Sequence, residues 1–302
     1  MTPPRPSRLV VMASALIDVV LDVPQLPLRG GDVLARPVTD EPGGAFNVAS
    51  AAARLGLPTV YAGPHGVGPR GDQLRAALDH EGVPVLSLAT TDQDTGYCLT
   101  LVDDEGERTF VTVGGADTVM TAHALAAVDV DAGDAVYVTG YDLAYPLSAT
   151  PLADRVSALP ATVLLVVDPG PLVADISPAI WAQVAPRIDV LSWSTREESL
   201  LPGLRALLSK DAAVIRRAGA DDVRIELPAH GAMTVATHRV DPIDTNGAGD
   251  VHVGAMLAAL HDELSWEEAL SMANLAAAYA TTRRGGASGP TLAQLQAFQA
   301  AT

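Results

Sequence analysis

"HRVDPIDTNGAGDVHVGAML", residues 238–257, places two glycines and a row of short polar residues directly before an apolar, helix-like run. Glycine is a poor helix former, so two of them at a helix start need a reason other than propensity. The stretch reads as a strand ending near Val240, a turn DTNGAGD, and a helix through VHVGAMLAALHDEL. Gly247, Ala248 and Gly249 would then expose backbone N–H groups at a helix N-terminus, with side chains small enough to let a phosphate approach. Asp250 falls in the first turn beside those amides. A carboxylate there can take a proton from a hydroxyl while the amides hold charge on a transferring phosphoryl group. The competing reading is local: Asp244 or Asp250 caps the helix and the glycines form a turn.

Upstream of this stretch, short β-branched runs alternate with Ala/Leu-rich ones. LVVMAS reads as a strand, AFNVASAAARLG as a helix closed by Gly56, TVYAG as a strand, GDQLRAALDHEG as a helix and VPVLSL as a strand. DAVYVTG, TVLLVVDPG, IDVLSW and AAVIRR are further buried-strand candidates with helical sequence between them. This alternation predicts an α/β fold, a mostly parallel sheet flanked by helices. Two stretches, 32–44 and 95–115, carry period-2 patterning instead, the second with a DDEG turn. They predict a small β-sheet lid, built mainly from about 19–42 and 95–115. Residues 1–8, MTPPRPSR, read as a disordered tail before one domain over 9–302.

The chain has 302 residues and a net charge of −17, from 19 basic and 36 acidic side chains. That balance argues against nucleic acid or an anionic membrane surface as partner, since both reward clustered Lys and Arg. One cysteine, Cys98, excludes an intramolecular disulfide and a multi-Cys zinc site, and points to a cytoplasmic setting. Arg5 and Arg8 before LVVMASALI imitate an export signal, but Asp18 and Asp22 interrupt the run, which reads better as a buried first strand.

The sequence resembles a ribokinase-like (PfkB-type) carbohydrate kinase. DTNGAGD is similar to that family's C-terminal signature, EPGGAFNVASAAARLG to its N-terminal one, and RRGGASGPT to its closing loop. The resemblance implies a Rossmann-like sheet with a β-lid, ATP as donor, Mg²⁺, and transfer to an alcohol of a small sugar or nucleoside. It makes Asp250 the catalytic base and Gly247–Ala248–Gly249 the anion hole. Asp18, Gly43, Gly44 and Asn47 match substrate-contacting positions, and a carboxylate such as Asp18 suits paired hydroxyls. Asp142, in GYD at a strand end, is a further sugar-contact candidate, with loop solvation as its alternative. Asp168, in VVDPGP, ends a strand as well and can equally cap a turn.

The nucleotide side departs from the family. Its N-x-x-E appears as STRE, with Ser194 in the Asn place and Glu197 kept to order water around Mg²⁺. Its Thr-x-Gly-x-x-Gly stretch is replaced by VIRRAGADD, which keeps only Gly219. Arg216 or Arg217, one rather than both, is expected to meet the phosphates; the alternative is a surface pair neutralising Asp221 and Asp222. Asn274 falls where the family's last helix lines the adenine pocket. Asp244 and Asn246 occupy the family's monovalent-cation position, a site for an ion such as K⁺. His252 lies about 200° around the helix from Asp250 and reads as packing rather than a proton relay. Three readings follow: a sugar kinase; a nucleoside kinase, which an aromatic-lined acceptor pocket would favour; and a sugar-binding regulatory protein without phosphoryl transfer, which would not need both base and anion hole. A homodimer formed through the lid is a further expectation.

Overall fold

The computed structural model describes residues 3–36, 39–90, 92–228 and 231–301. In chain order its strands are β1 (Leu9–Val11), β2 (Ala15–Asp22), β3 (Asp40–Gly44), β4 (Thr59–Tyr61), β5 (Tyr97–Val102) and β6 (Arg108–Val113). They continue with β7 (Ala135–Thr139), β8 (Leu164–Asp168), β9 (Val190–Ser194), β10 (Ala213–Ala218), β11 (Asp221–Leu227) and β12 (Gly231–Val235). Eight of them form one sheet in the order β12-β11-β10-β9-β8-β7-β1-β4, and four form a second in the order β3-β2-β5-β6. The large sheet is parallel from β10 to β4, and only β11 and β12 run antiparallel at one edge.

Strand alternation divides the core. Leu9, Val11 and Ile215 point to one face, against the helices Ala45–Arg54, Ala248–His261 and Trp266–Thr281. Val10, Met12 and Val214 point to the other, against Leu152, Val156, Ile180 and Trp181. Period-2 side-chain direction requires this of a sheet covered on both faces. The alanine enrichment has a packing reason. A β-carbon on Gly254 would sit 2.8 Å from Val48 O and 2.9 Å from the Ala51 side chain. The helix Ala248–His261 and the helix Ala45–Arg54 therefore approach closer than larger residues would allow. No described helix is long and apolar enough to cross a membrane.

Four sequence expectations change. The run LVVMASALI is not one strand: the chain breaks off after β1 and enters β2 of the small sheet, so Asp18 lies within that second strand. VPVLSL forms no full strand and pairs only through the single bridge Tyr61–Val85, since Pro84 has no N–H to give a ladder. The strand expected to end near Val240 stops at Val235, and an irregular segment returns from the sheet edge to the helix. Of the tail expected over 1–8, residues 1–2 lie outside the described residues. Ser7 N–H donates to Gly133 O at 2.8 Å and Arg8 pairs with Asp134 at 2.5 Å, which anchors its end to the sheet.

Candidate active site

The helix Ala248–His261 begins over the C-terminal edge of the large sheet, where Thr139, Asp168, Ser194 and Arg217 end or approach the ends of their strands. Its N-cap, Gly247, has φ +70°, and a β-carbon there would fall on Gly286 O of the closing loop. Only glycine meets both conditions. Asp250 lies in the first turn, deep in the protein yet partly open. Its Oδ2 accepts the Asn47 amide N–H at 3.0 Å. Burial pushes its carboxyl up to about 7, with Asp168 and Glu197 adding to the rise while the Asn47 bond and Arg217 oppose it.

The side of the site where the sequence places an acceptor is built by β2, β3 and the helix that follows. Gly43 lacks a side chain because a β-carbon would fall on Asp18 Oδ2. Gly44 has φ +61°, and a β-carbon there would stand 2.9 Å from Ser14 O. The Gly-Gly pair thus lets a lid strand pass Asp18 and turn directly into the helix that carries Asn47. Asn47 is 3% exposed, and its Oδ1 has no partner. Asp18 is buried and pushed up to about 7, first by burial and then by Glu41, Asp250 and Asp244. Glu41, which the sequence reading missed, stands opposite Asp18 in the β2–β3 register. Its carboxylate accepts the Gly286 N–H, and burial raises its proton affinity. In sequence it reads as any acid of a solvated hairpin. Beyond Glu41 opens a cavity of about 320 Å³, lined by Asp22, Glu41, Arg108, Asp244 and Arg284 among others.

Two candidates on this side have other work. Asp142 is fully buried, and its oxygens accept Ser14 N–H at 3.0 Å and Thr139 Oγ1–H at 2.6 Å, so it staples β1's end rather than facing a sugar. Asp244 pairs with Arg108 of the lid at 2.6 Å and accepts the N–H groups of Asn246 at 2.7 Å and Gly285 at 3.1 Å. A carboxylate so occupied is poorly suited to a monovalent cation, and Asn246 belongs to the same turn. Among the described residues, no group of three or more His, Cys, Asp or Glu is arranged to hold a metal ion.

The nucleotide half separates the two arginines. Arg217 turns under the helix start: its Nη2 donates to Asp168 Oδ2 at 2.7 Å and stands 3.8 Å from Glu197. A β-carbon on Gly249 would fall on Arg217 Nη1, so that glycine makes room for a guanidinium. Arg217 Nε is buried without a partner. Arg216 points to the opposite face, pairs with Glu198 at 3.5 Å and is half-exposed among Arg205, Arg224 and Glu226. The pair expected with Asp221 and Asp222 is thus replaced by other partners. Ser194 and Glu197 form a capping box, Ser194 N–H donating to Glu197 Oε2 at 2.6 Å. Glu197's position is explained by that cap, although its other oxygen is available for hydrated Mg²⁺. Gly219 has φ +65° in the β10–β11 hairpin with nothing within 4 Å of a β-carbon, so the turn alone accounts for it. Asn274 does not wall an adenine pocket: it is 2% exposed and bonds Ala236 O at 2.9 Å and His252 at 3.2 Å. His252, lowered to about 3 chiefly by burial, is the packing residue expected.

The chemistry of this donor set fits a nucleotide's phosphates. Backbone N–H groups at a helix start, an unpaired edge of a buried guanidinium and a carboxylate for a hydrated divalent ion converge beside Asp250. A family model described as pfkB family carbohydrate kinase matches residues 6–292. An uncharacterized sugar kinase of Escherichia coli (strain K12) is 30% identical, covering 95% of this chain and 92% of that protein. A ribokinase of Haemophilus influenzae is 26% identical, covering 93% of this chain and 94% of that protein. Among solved structures, ribokinase from Cryptococcus neoformans in complex with ADP matches at a TM-score of 0.80 and 22% identity, over 98% of this chain and 100% of that one. The nucleoside kinase of Methanocaldococcus jannaschii matches at 0.83 and 16% identity, over 99% of each chain. At those identities the two structures establish the fold alone.

Proposed function

This chain belongs to the pfkB family of ATP-dependent carbohydrate kinases, and we propose that Asp250 is its general base and a hydroxyl of a small sugar its acceptor. The observation that carries this is the pairing of Asp250 with Asn47 just after the Gly247–Gly249 turn, close enough to Asp18 for the two carboxyls to act on each other. Asp18 and the unpartnered Asn47 Oδ1 accept from the sugar's hydroxyls. Asp250 takes the proton of the attacking hydroxyl, the oxygen forms a bond to the terminal phosphorus, and the bond to the ADP oxygen breaks. The amides of Gly247, Ala248 and Gly249 and the Arg217 guanidinium hold the charge that develops on the transferring group. Glu197 would order the water of a Mg²⁺ ion, which would supply positive charge against the phosphates.

The carboxylates gathered at Asp18 and Asp250 favour a sugar, whose several hydroxyls need acceptors. An intact base and anion hole count against a non-catalytic binder. The lid also supports a homodimer: β6 is an edge strand with Val111 and Val113 exposed on one face and Phe110 on the other, an edge that a second copy would cover. A panel of sugars and nucleosides scored by ADP release tests the assignment. Turnover with a sugar, abolished in Asp250→Asn, is the expected result; turnover with nucleosides alone would overturn the acceptor class.

A further inference from the structure

Arg217 lies where the two halves of the site meet, and one carboxylate governs its direction. On β10 it stands in register with Ser194 of β9, so its side chain must reach back across β9 to touch the end of β8. There it donates to Asp168 Oδ2 at 2.7 Å, and Asp168 Oδ1 accepts the Gly170 N–H at 3.1 Å. The anchor is itself anchored. Glu197 stands farther off at 3.8 Å, its Oε2 committed to Ser194 N–H. Arg217 Nη1 meanwhile presses on Gly249, and Nε is buried without a partner. One edge of the fork is held, and the rest is turned to the helix start.

We propose that Asp168 is a positioning residue for phosphoryl transfer: it holds Arg217 against Gly249 and away from Asp250, so that the guanidinium serves the phosphate and leaves the base free. The proposal rests on the reading of Asp250 and the Gly247–Gly249 turn given above. A guanidinium seeks a carboxylate fork. Without Asp168, the guanidinium is left with Glu197, whose Oε2 is already committed to Ser194 N–H, and with Asp250, whose charge also acts on it. A direct Arg217–Asp250 pair would lower the base's proton affinity and put the cation's donors where the phosphoryl group belongs. The hydrogen bonds of Asp168 go to Gly170 and Arg217; its charge also raises the proton affinity of Asp250 directly, so its effect on nucleotide binding, which runs through the arginine, is the one that separates the two. Asn at this position has one acceptor oxygen for those two donors, so Asp168→Asn releases one of them.

The test is a double-mutant cycle on the full chain, with calorimetric binding of a non-hydrolysable ATP analogue and Mg²⁺ to wild type, Asp168→Asn, Arg217→Ala and the double variant. Each single variant is expected to bind roughly tenfold more weakly, and the double variant no more weakly than Arg217→Ala alone. With an accepted sugar, kcat of Asp168→Asn should fall while the sugar KM stays within about twofold. Asp168→Glu, which restores a carboxylate, should recover part of the binding and guards against a loss that only reflects misfolding. Losses that add in the double variant, or no loss in either single one, overturn the proposal. Failure of wild type to bind the analogue overturns the nucleotide-site reading beneath it.

Discussion

The acceptor half of the site and the nucleotide half are built in different ways. The acceptor half is crowded with carboxylates, Asp18, Glu41 and Asp250, all with raised proton affinity, under a lid tied down by Arg108 on Asp244. The nucleotide half is organised around one buried cation, Arg217, balanced by Asp168 and Glu197. Under the proposed function, the contrast follows the charges each half would handle. A neutral polyol needs acceptors, and one acceptor must also take a proton, which burial makes possible near neutral pH. A phosphate chain needs donors, and a bare buried cation would be costly without carboxylates to balance it while the site is empty.

Substitutions on the two sides should therefore fail differently. The largest effect is expected at their junction: Asp250→Asn should lower kcat by roughly a hundredfold or more while nucleotide binding by calorimetry stays near wild type. Arg217→Ala should raise the ATP KM roughly tenfold and leave the affinity for the sugar alone unchanged. Asp18→Ala should do the reverse, raising the sugar KM roughly tenfold with little change for ATP. Equal weakening of both ligands in either variant would erase the distinction between the halves. Arg216→Ala should change ATP KM by less than about twofold, since its partner is the half-exposed Glu198.

How legible each half was in the sequence follows the same line. Gly43, Gly44, Gly247 and Gly249 announce themselves because each stands where a β-carbon has no room, against backbone at Gly44 and Gly247 and against the Asp18 and Arg217 side chains at Gly43 and Gly249. Asp250 is readable from its place in a helix's first turn, and the parallel sheet from alternating runs. Glu41 was not readable, because only the pairing of β3 on β2 brings it opposite Asp18. On the nucleotide side, residue type said that a guanidinium suits a phosphate, but not which of two adjacent arginines points inward. Strand register decides that: Ile215 faces one core and Val214 the other, so Arg217 follows the first and Arg216 the second. Asn274 and Asp142 misled for a related reason, since a polar residue near a site looks the same in sequence whether it faces a ligand or the interior.

Stability gives a smaller test of the carboxylate-rich half. Asp18 has a folded value of about 7 against an ordinary value of 3.8. The folded state therefore binds more protons between those values, and stability falls as pH rises through that window. Asp18→Asn removes the cost. It should raise Tm by about 2 °C or more near pH 8, with the gain shrinking toward pH 4. A gain independent of pH would point to packing instead of charge.

The central claim is that burial sets Asp250 as a base working near neutrality. It is tested most directly by kcat/KM for the sugar from about pH 5 to about pH 9 in Asp18→Asn, where the other carboxyl with a value near 7 has been removed. The account predicts that the rate still rises through a single ionisation near 7, or slightly below it as the Asp18 charge is lost. A rate that is flat across that range would contradict it, and would place the acid limb of the wild-type enzyme on Asp18.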